Sequence, residues 1–170
     1  MDDAEHQAKE IDLFWAQARR MTKMETLPGW MPRYWSEVVA PPAWSFGDTP
    51  QMADELLGLV LEGKKTATCG LLSDYEEEHE PLPEVGDLSI ILDGQGRPRA
   101  LVRNYYVAML PFKDVDAEQA YLEGEGDRTL DYWRKAHEEY FTACLAEAGK
   151  TFTEDVEVVE ERFEVLYPKD

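Results

Sequence analysis

Residues 88–110 read LSIILDGQGRPRALVRNYYVAML, and this stretch decides the fold class. The apolar run Leu88–Leu92 predicts a buried strand, and residues 99–110 predict the strand that returns beside it. Between them, residues 93–96 (DGQG) have the composition of a hairpin turn, in which glycine permits positive φ. The sequence therefore predicts an antiparallel hairpin within the folded domain.

Helical and strand patterns surround this hairpin. Apolar residues at positions 11, 14, 15, 18 and 21 predict an amphipathic helix within residues 5–24. Further helices are predicted over residues 50–63, 71–79, 114–124 and 129–148, and further strands over residues 64–69 and 156–167. The strands are too few and too local for a doubly wound parallel sheet. We therefore predict an α+β protein with a small twisted β-barrel, or a curled mixed sheet, surrounded by helices.

The charge of the chain limits its partners. Among 170 residues, 36 are acidic and 17 are basic, giving a net charge of −19. Such a charge repels polyanions and anionic membranes, so we predict no duplex DNA and no membrane as partners. A small, locally basic pocket remains compatible with this composition. The 44% of hydrophobic residues are enough for one folded domain.

Cysteine and histidine usage indicates a cytoplasmic protein without a dedicated metal site. Cys69 and Cys144 are too few for a disulfide framework and form no CxxC pair for zinc, so we expect reduced thiols. The polar N-terminus lacks an apolar signal core, and no apolar run approaches the roughly 20 residues that span a bilayer. The three histidines show no ligand spacing, so we predict no cofactor and no transition metal. Weak binding of Mg²⁺ or Mn²⁺ by carboxylates is the alternative left open.

The segment GKKTAT, residues 63–68, is the strongest local signal for chemistry. It is not a Walker A loop, because Lys65 stands where that loop needs Ser or Thr and the preceding pattern is helical. A buried Lys65 beside Thr66 or Thr68 has the residue types of a base and a hydroxyl nucleophile. The structural alternative, a lysine at a helix C-terminus followed by strand-forming threonines, is favoured by the residue pattern alone.

A glycine-spaced acidic loop is the second signal. Residues 122–127 read LEGEGD, and the two glycines allow the loop to direct Glu123 and Glu125 into a cleft. The alternative is the end of one helix followed by Asp127 as the cap of the next, and the sequence leaves both readings open.

Scarce basic residues and some aromatic residues are candidate ligand contacts. Arg103, followed by Tyr105, and Arg162 lie on predicted strands and would need a carboxylate or an anionic ligand if they point inward. A salt bridge on the sheet surface is the alternative. Trp44 and Phe46 precede the second helix, where they would either stack on a base or belong to the core.

Several short motifs, in order, resemble the ASCH domain family, which is related to the PUA domains of RNA-modifying proteins. The matching segments are WSFGD (44–48), ADEL (53–56), GKKTAT (63–68), PLPEVGD (81–87), EGEGD (123–127), YW (132–133) and ERFEV (161–165). The match is to an acidic bacterial branch of the family. It implies a PUA-like β-barrel over residues 42–170, with residues 1–41 forming an extra helical extension packed on the domain.

The resemblance also implies a site in a cleft between the barrel and the helices. Carried over, Lys65 is the base, Thr68 the nucleophile, and Glu125, or alternatively Glu123, the acid that orients Lys65 or donates a proton. One departure is that Cys69 stands where many members carry a basic residue, which puts a phosphate contact in doubt. The predicted substrate-binding residues are Trp44, Phe46, Lys64, Thr66, Arg103, Tyr105, Glu123 and Arg162.

The implied function is hydrolysis of a nucleoside- or RNA-type ligand, with acylated cytidine as the leading substrate of an amidohydrolase. The alternatives are a ribonuclease acting on single-stranded RNA and a non-catalytic module that binds RNA or nucleotides. The net charge of −19 disfavours long RNA and barely affects a neutral nucleoside. The predicted partner is therefore a small nucleoside or nucleotide, or a short single-stranded RNA, bound in a cleft made basic by Lys64, Lys65, Arg103 and Arg162.

Overall fold

A computed structural model describes residues 2–23 and 39–169 of the chain. The helices are α1 (Asp3–Thr22), α2 (Pro50–Leu61), α3 (Leu72–Glu77), α4 (Ala117–Glu123) and α5 (Leu130–Glu147). The strands are β1 (Ala43–Trp44), β2 (Ala67–Leu71), β3 (Leu88–Leu92), β4 (Pro98–Pro111) and β5 (Glu157–Tyr167). All five predicted helices are present. The predicted turn-rich link at residues 27–32 falls outside the described residues.

The strands form one mixed sheet in the order β1-β3-β4-β5-β2. The predicted hairpin pairs β3 with β4, and β5 pairs antiparallel with both β4 and β2. Strand β1 adds to β3 in parallel. The register of β4 against β5 shifts between Asn104 and Tyr106, so that Tyr105 is an extra residue at a bulge. Bulges of this kind increase the local twist of the sheet.

The sheet is open, so the predicted closed β-barrel is wrong. Strands β1 and β2 form its opposite edges, and they have two and five residues. Closure would need these short edges to pair with each other, whereas within the described residues their partners are β3 and β5 alone. Helices pack on the faces of the curled sheet and bury its apolar residues.

Helix α1 packs on the sheet as an integral layer of the fold. Trp15 and Ala18 are buried against Ile90, Leu101 and Leu166. These contacts explain the spacing of apolar residues along the helix, because one face of α1 covers β3, β4 and β5. The boundary at residue 41 between an extension and the main domain stays a prediction.

Helices α2 and α5 cover other parts of the sheet. Leu57 and Val60 of α2 pack with Phe46, Val102 and Phe163. A separate cluster joins α5 to the edge of the sheet, and its buried members are Leu71, Phe112, Val115, Ala120, Trp133, Phe141, Leu145 and Val158. These two clusters flank the segment that carries Lys65.

Among the described helices, none is long and apolar enough to cross a membrane.

Candidate active site

Lys65 is almost completely buried at the point where α2 gives way to β2. Gly63 has φ +78°, and the amides of Lys64 and Lys65 both donate to the carbonyl of Leu59, which ends the helix and turns the chain inward. The Thr66 amide then donates to the Leu122 carbonyl at 2.7 Å, which ties the segment to the end of α4. This geometry leaves Lys65 with 1% of its surface exposed.

The Lys65 ammonium lies between two glutamates of the acidic loop. Its Nζ is 3.4 Å from Oε2 of Glu125 and 4.0 Å from Oε2 of Glu123, and it donates to the Glu123 carbonyl at 3.4 Å. Nζ also lies 5.2 Å from the ring centroid of Phe46. The buried charge is therefore compensated by two carboxylates and an aromatic face, as a buried ammonium requires.

Gly124 makes the approach of the acidic loop possible. It has φ +73° at the end of α4, and a Cβ atom there would lie 2.4 Å from the Lys64 carbonyl oxygen. A side chain would thus face both a strained conformation and a backbone clash. The glycine sets the distance at which Glu123 and Glu125 approach Lys65.

Glu123 is the buried carboxylate of the site, with 1% exposure. Its Oε2 lies 3.2 Å from Nε2 of His137, and its Oε1 accepts a hydrogen bond from Nε2 of Gln119 at 3.1 Å. Burial raises the pKa of Glu123, but the His137 hydrogen bond and the Lys65 charge outweigh burial and hold that pKa below its usual range. Glu123 is therefore ionised at neutral pH.

Gln119 links this carboxylate to the sheet. Its Nε2 also donates to the Thr68 carbonyl at 3.2 Å, and its Oε1 accepts from Nε of Arg162 at 3.0 Å. Arg162 in turn lies 3.3 Å from Glu118 and stacks over Tyr106, 4.3 Å from the ring centroid. The amide is fixed in one orientation by partners on both of its ends.

The structure brings Lys65, Glu123 and Glu125 together, while the Thr68 carbonyl is linked to Glu123 through the Gln119 amide. In the part of the chain that the structure describes, no hydrogen bond joins the Thr68 hydroxyl to Lys65 or Glu125. The Thr66 hydroxyl donates to the Leu122 carbonyl at 3.4 Å, which is a structural contact. The catalytic role of the predicted Lys65, Thr68 and Glu125 set stays a prediction.

The predicted aromatic contacts have different surroundings. Phe46 is buried and meets Trp44 edge-on at 4.8 Å between centroids, so both have the packing of core residues. Tyr105 is 51% exposed at the β4 bulge. Arg103 lies on β4 in register with Glu164 of β5. Whether any of them contacts a ligand stays a prediction.

The cations around the cleft already have anionic partners. Lys64 pairs with Glu62 at 2.9 Å on the surface, Lys65 pairs with two glutamates, and Arg162 pairs with Glu118. The expected excess of positive charge is thus balanced locally. Glu160 is also buried, and burial raises its pKa to about 7, so this carboxyl is only partly ionised at neutral pH.

Three side chains of the site have the ligand types of a metal centre. Glu123, Glu125 and His137 offer ligand atoms within 4.8 Å of one another, but the Lys65 ammonium lies among them and would repel a metal ion.

Burial, together with nearby glutamates, raises the pKa of the Cys69 thiol well above its usual range. Cys69 is therefore a poor nucleophile.

Sequence reasoning did not assign a role in the site to His137, Gln119 or Glu160. The spacing of apolar residues within 129–148 puts His137 on the same helical face as Trp133 and Phe141, and that pattern is the signal for its burial. Gln119 contacts Glu123, which lies one helical turn away, and also contacts Arg162, which lies 43 positions away in the sequence. No local sequence pattern predicts the second contact.

Comparisons with known proteins agree on one family. A family model described as ASCH domain matches residues 42–167. A crystal structure of a protein from Enterococcus faecalis, assigned to the family DUF984, shares 35% identity over 92% of this chain and 88% of that chain, with a TM-score of 0.77. An ASCH domain from Lactobacillus crispatus shares 28% identity over 91% of this chain and 96% of that chain, with a TM-score of 0.74. No curated protein matches significantly.

Proposed function

Because this chain belongs to the ASCH domain family, we propose that it is a hydrolase that acts on a small, uncharged nucleoside ligand. The observation that supports it is the Lys65 ammonium, which is 1% exposed and lies 3.4 Å from the partly exposed Glu125. A buried lysine within 3.4 Å of a partly exposed carboxylate has the residue types and the proximity that a catalytic acid and base pair needs. The reaction class we propose is hydrolysis of the acyl amide of an acylated cytidine.

The charge distribution favours an uncharged ligand over RNA. Lys64, Lys65 and Arg162 are each ion-paired with a glutamate, and the whole chain carries a net charge of −19. Binding a phosphate would break one of these pairs and leave a carboxylate without its cation. An uncharged acylated nucleoside needs no such exchange, because hydrogen bonds alone orient it. The same reasoning weighs against the ribonuclease alternative.

In the proposed reaction, Lys65 must first become a neutral amine. Glu125 takes the proton across their 3.4 Å contact, while the ionised Glu123 stays fixed by Gln119 and His137. The Thr68 oxygen then bonds to the acyl carbon as its proton passes to Lys65, and that proton leaves with the departing amine when the C–N bond breaks. Water hydrolyses the acyl ester, which releases the carboxylic acid and restores Thr68.

The experiment is hydrolysis of acetylated cytidine by the purified full chain, followed by chromatographic quantification of cytidine. Lys65→Met should lower kcat/KM by about 10²–10⁴-fold, the usual contribution of a positioned general base. Thr68→Val should lower it to the same background. Lys150→Met is the matched control, because it removes a lysine from an exposed ion pair with Glu77. Equal rates for Lys65→Met and the wild type would contradict the proposal.

The second candidate is a non-catalytic module that binds the nucleoside. It is favoured by the lack of a hydrogen bond between the Thr68 hydroxyl and Lys65 among the described residues. Calorimetric titration with acetylated cytidine separates the two. Binding without turnover in the wild type, lost in Lys65→Met and kept in Lys150→Met, would identify a binding module.

A further inference from the structure

His137 is held rigidly beside the buried carboxylate of the site. Its ring stacks on Trp133 with centroids 4.1 Å apart and planes 15° apart, and it meets Phe141 edge-on at 5.5 Å. Trp133 stacks in turn on Phe112 at 5.3 Å, so the imidazole is the outer member of a three-ring stack. The side chain of His137 is 13% exposed. The stack fixes the plane in which both ring nitrogens lie.

Both ring nitrogens face hydrogen-bond acceptors. Nδ1 lies 3.0 Å from the Trp133 carbonyl oxygen, and Nε2 lies 3.2 Å from Oε2 of Glu123. A carbonyl accepts and never donates, and an ionised carboxylate has no proton to give. Each nitrogen must therefore carry its own proton, which makes the ring an imidazolium.

We propose that His137 is a positively charged positioning residue, whose imidazolium fixes the Glu123 carboxylate and through it the Lys65 ammonium. The effect on activity rests on the proposed hydrolase function, whereas the charge of the ring does not. Glu123 is the shared partner, 3.2 Å from His137 and 4.0 Å from Lys65. His137 acts through these two residues.

The charges around the ring balance when His137 is protonated. Glu123 of α4 and Glu125 of the following loop supply two negative charges, and Lys65 and His137 supply two positive ones. Beyond them lie Cys69 on β2 and Glu160 on β5, both of which interact electrostatically with Glu123. A neutral ring would leave two carboxylates facing one ammonium, and it would lack a proton for one of its two acceptors.

The first test is ¹⁵N NMR of the full chain labelled at histidine and lysine, which measures the protonation of the two His137 ring nitrogens directly. At pH 7 we expect a spectrum in which one histidine carries protons on both nitrogens. That signal should vanish in His137→Gln and persist in His6→Gln, which removes an exposed histidine on α1. The Lys65 Nζ signal should shift in His137→Phe and stay unchanged in His6→Gln. A neutral His137 ring, or an unmoved Lys65 signal, would overturn the proposal.

The second test uses the steady-state kinetics of acetylated cytidine hydrolysis. His137→Phe keeps the ring stack but donates nothing, so kcat should fall about 10²-fold with little change in KM, the loss typical of a misplaced group. His137→Gln places an amide donor near Glu123, so it should recover most of kcat. Identical kcat values for both variants and the wild type would refute the positioning role. If the wild type hydrolyses nothing, the proposed function fails while the spectra still decide the charge of His137.

Discussion

Replacing Glu123 with glutamine would remove the negative charge that two buried groups share. Glu123 is 1% exposed and lies near both Lys65 and His137, so the substitution leaves these cations with a neutral amide. Glu125 remains for Lys65, 3.4 Å from the ammonium, but its side chain is 28% exposed. Glu123→Gln therefore breaks a buried ion pair, whereas Glu125→Gln removes a partly screened one.

The expected magnitudes differ enough to be measured. Removing one partner of a buried ion pair costs about 3–5 kcal/mol, because the other charge stays buried without compensation. For a chain of this size, about 1 kcal/mol lowers Tm by about 2–4 °C, so Glu123→Gln should lower Tm by about 6–20 °C. A partly exposed pair contributes about 0–1 kcal/mol, so Glu125→Gln should remain within about 4 °C of the wild type.

Urea unfolding at pH 7, followed by tryptophan fluorescence, measures the free energies directly. Glu77→Gln is the control, because it removes the same charge from an exposed ion pair with Lys150. The order expected for the loss of stability is Glu123→Gln far above Glu125→Gln, with Glu77→Gln near zero. A loss below about 1 kcal/mol for Glu123→Gln would refute the reasoning that a buried ion pair holds the site together.

Three further predictions concern Glu160, Trp15 and Gly124. Glu160 has a pKa raised to about 7 from 4.5, so its contribution to stability is lost as pH rises through about 7. Glu160→Gln should match the wild type in urea at pH 4.5 and exceed it at pH 8. Trp15→Ala should cost about 3–5 kcal/mol in urea at pH 7, because Trp15 is 3% exposed under the sheet. Gly124→Ala should cost at least about 1–3 kcal/mol in the same assay, through positive φ and a clash with the Lys64 carbonyl.

Local sequence patterns predict most of the helices and strands, but they do not predict whether the sheet closes into a barrel. The hairpin of β3 and β4 follows from an apolar run, a glycine turn and a second run, all within 23 residues. Strand β1 has two residues and no pattern of its own, since it exists by pairing with β3. Whether the edges meet depends on twist and strand length across the whole sheet, which the sequence pattern does not contain.

The sequence predicts which residue types form the site, but it does not predict which side chains contact one another. Lys65 is 58 positions from Glu123 and 60 from Glu125, and a glycine follows each glutamate, so the residue pattern does not choose between them. The structure separates their surroundings. Glu123 belongs to the last turn of α4 and faces the core, whereas Glu125 follows Gly124 and stays partly exposed. Gln119 and His137 join the site through tertiary contacts with Glu123.

The most direct test of the central claim offers one protein preparation two substrates, acetylated cytidine and a short single-stranded oligoribonucleotide. The account predicts release of cytidine and acetate, abolished in Lys65→Met and kept in Lys150→Met, with the oligoribonucleotide left intact. Cleavage of the oligoribonucleotide that disappears in Lys65→Met would contradict the claim that this site acts on an uncharged ligand. No release of cytidine by the wild type would contradict the proposed hydrolysis itself.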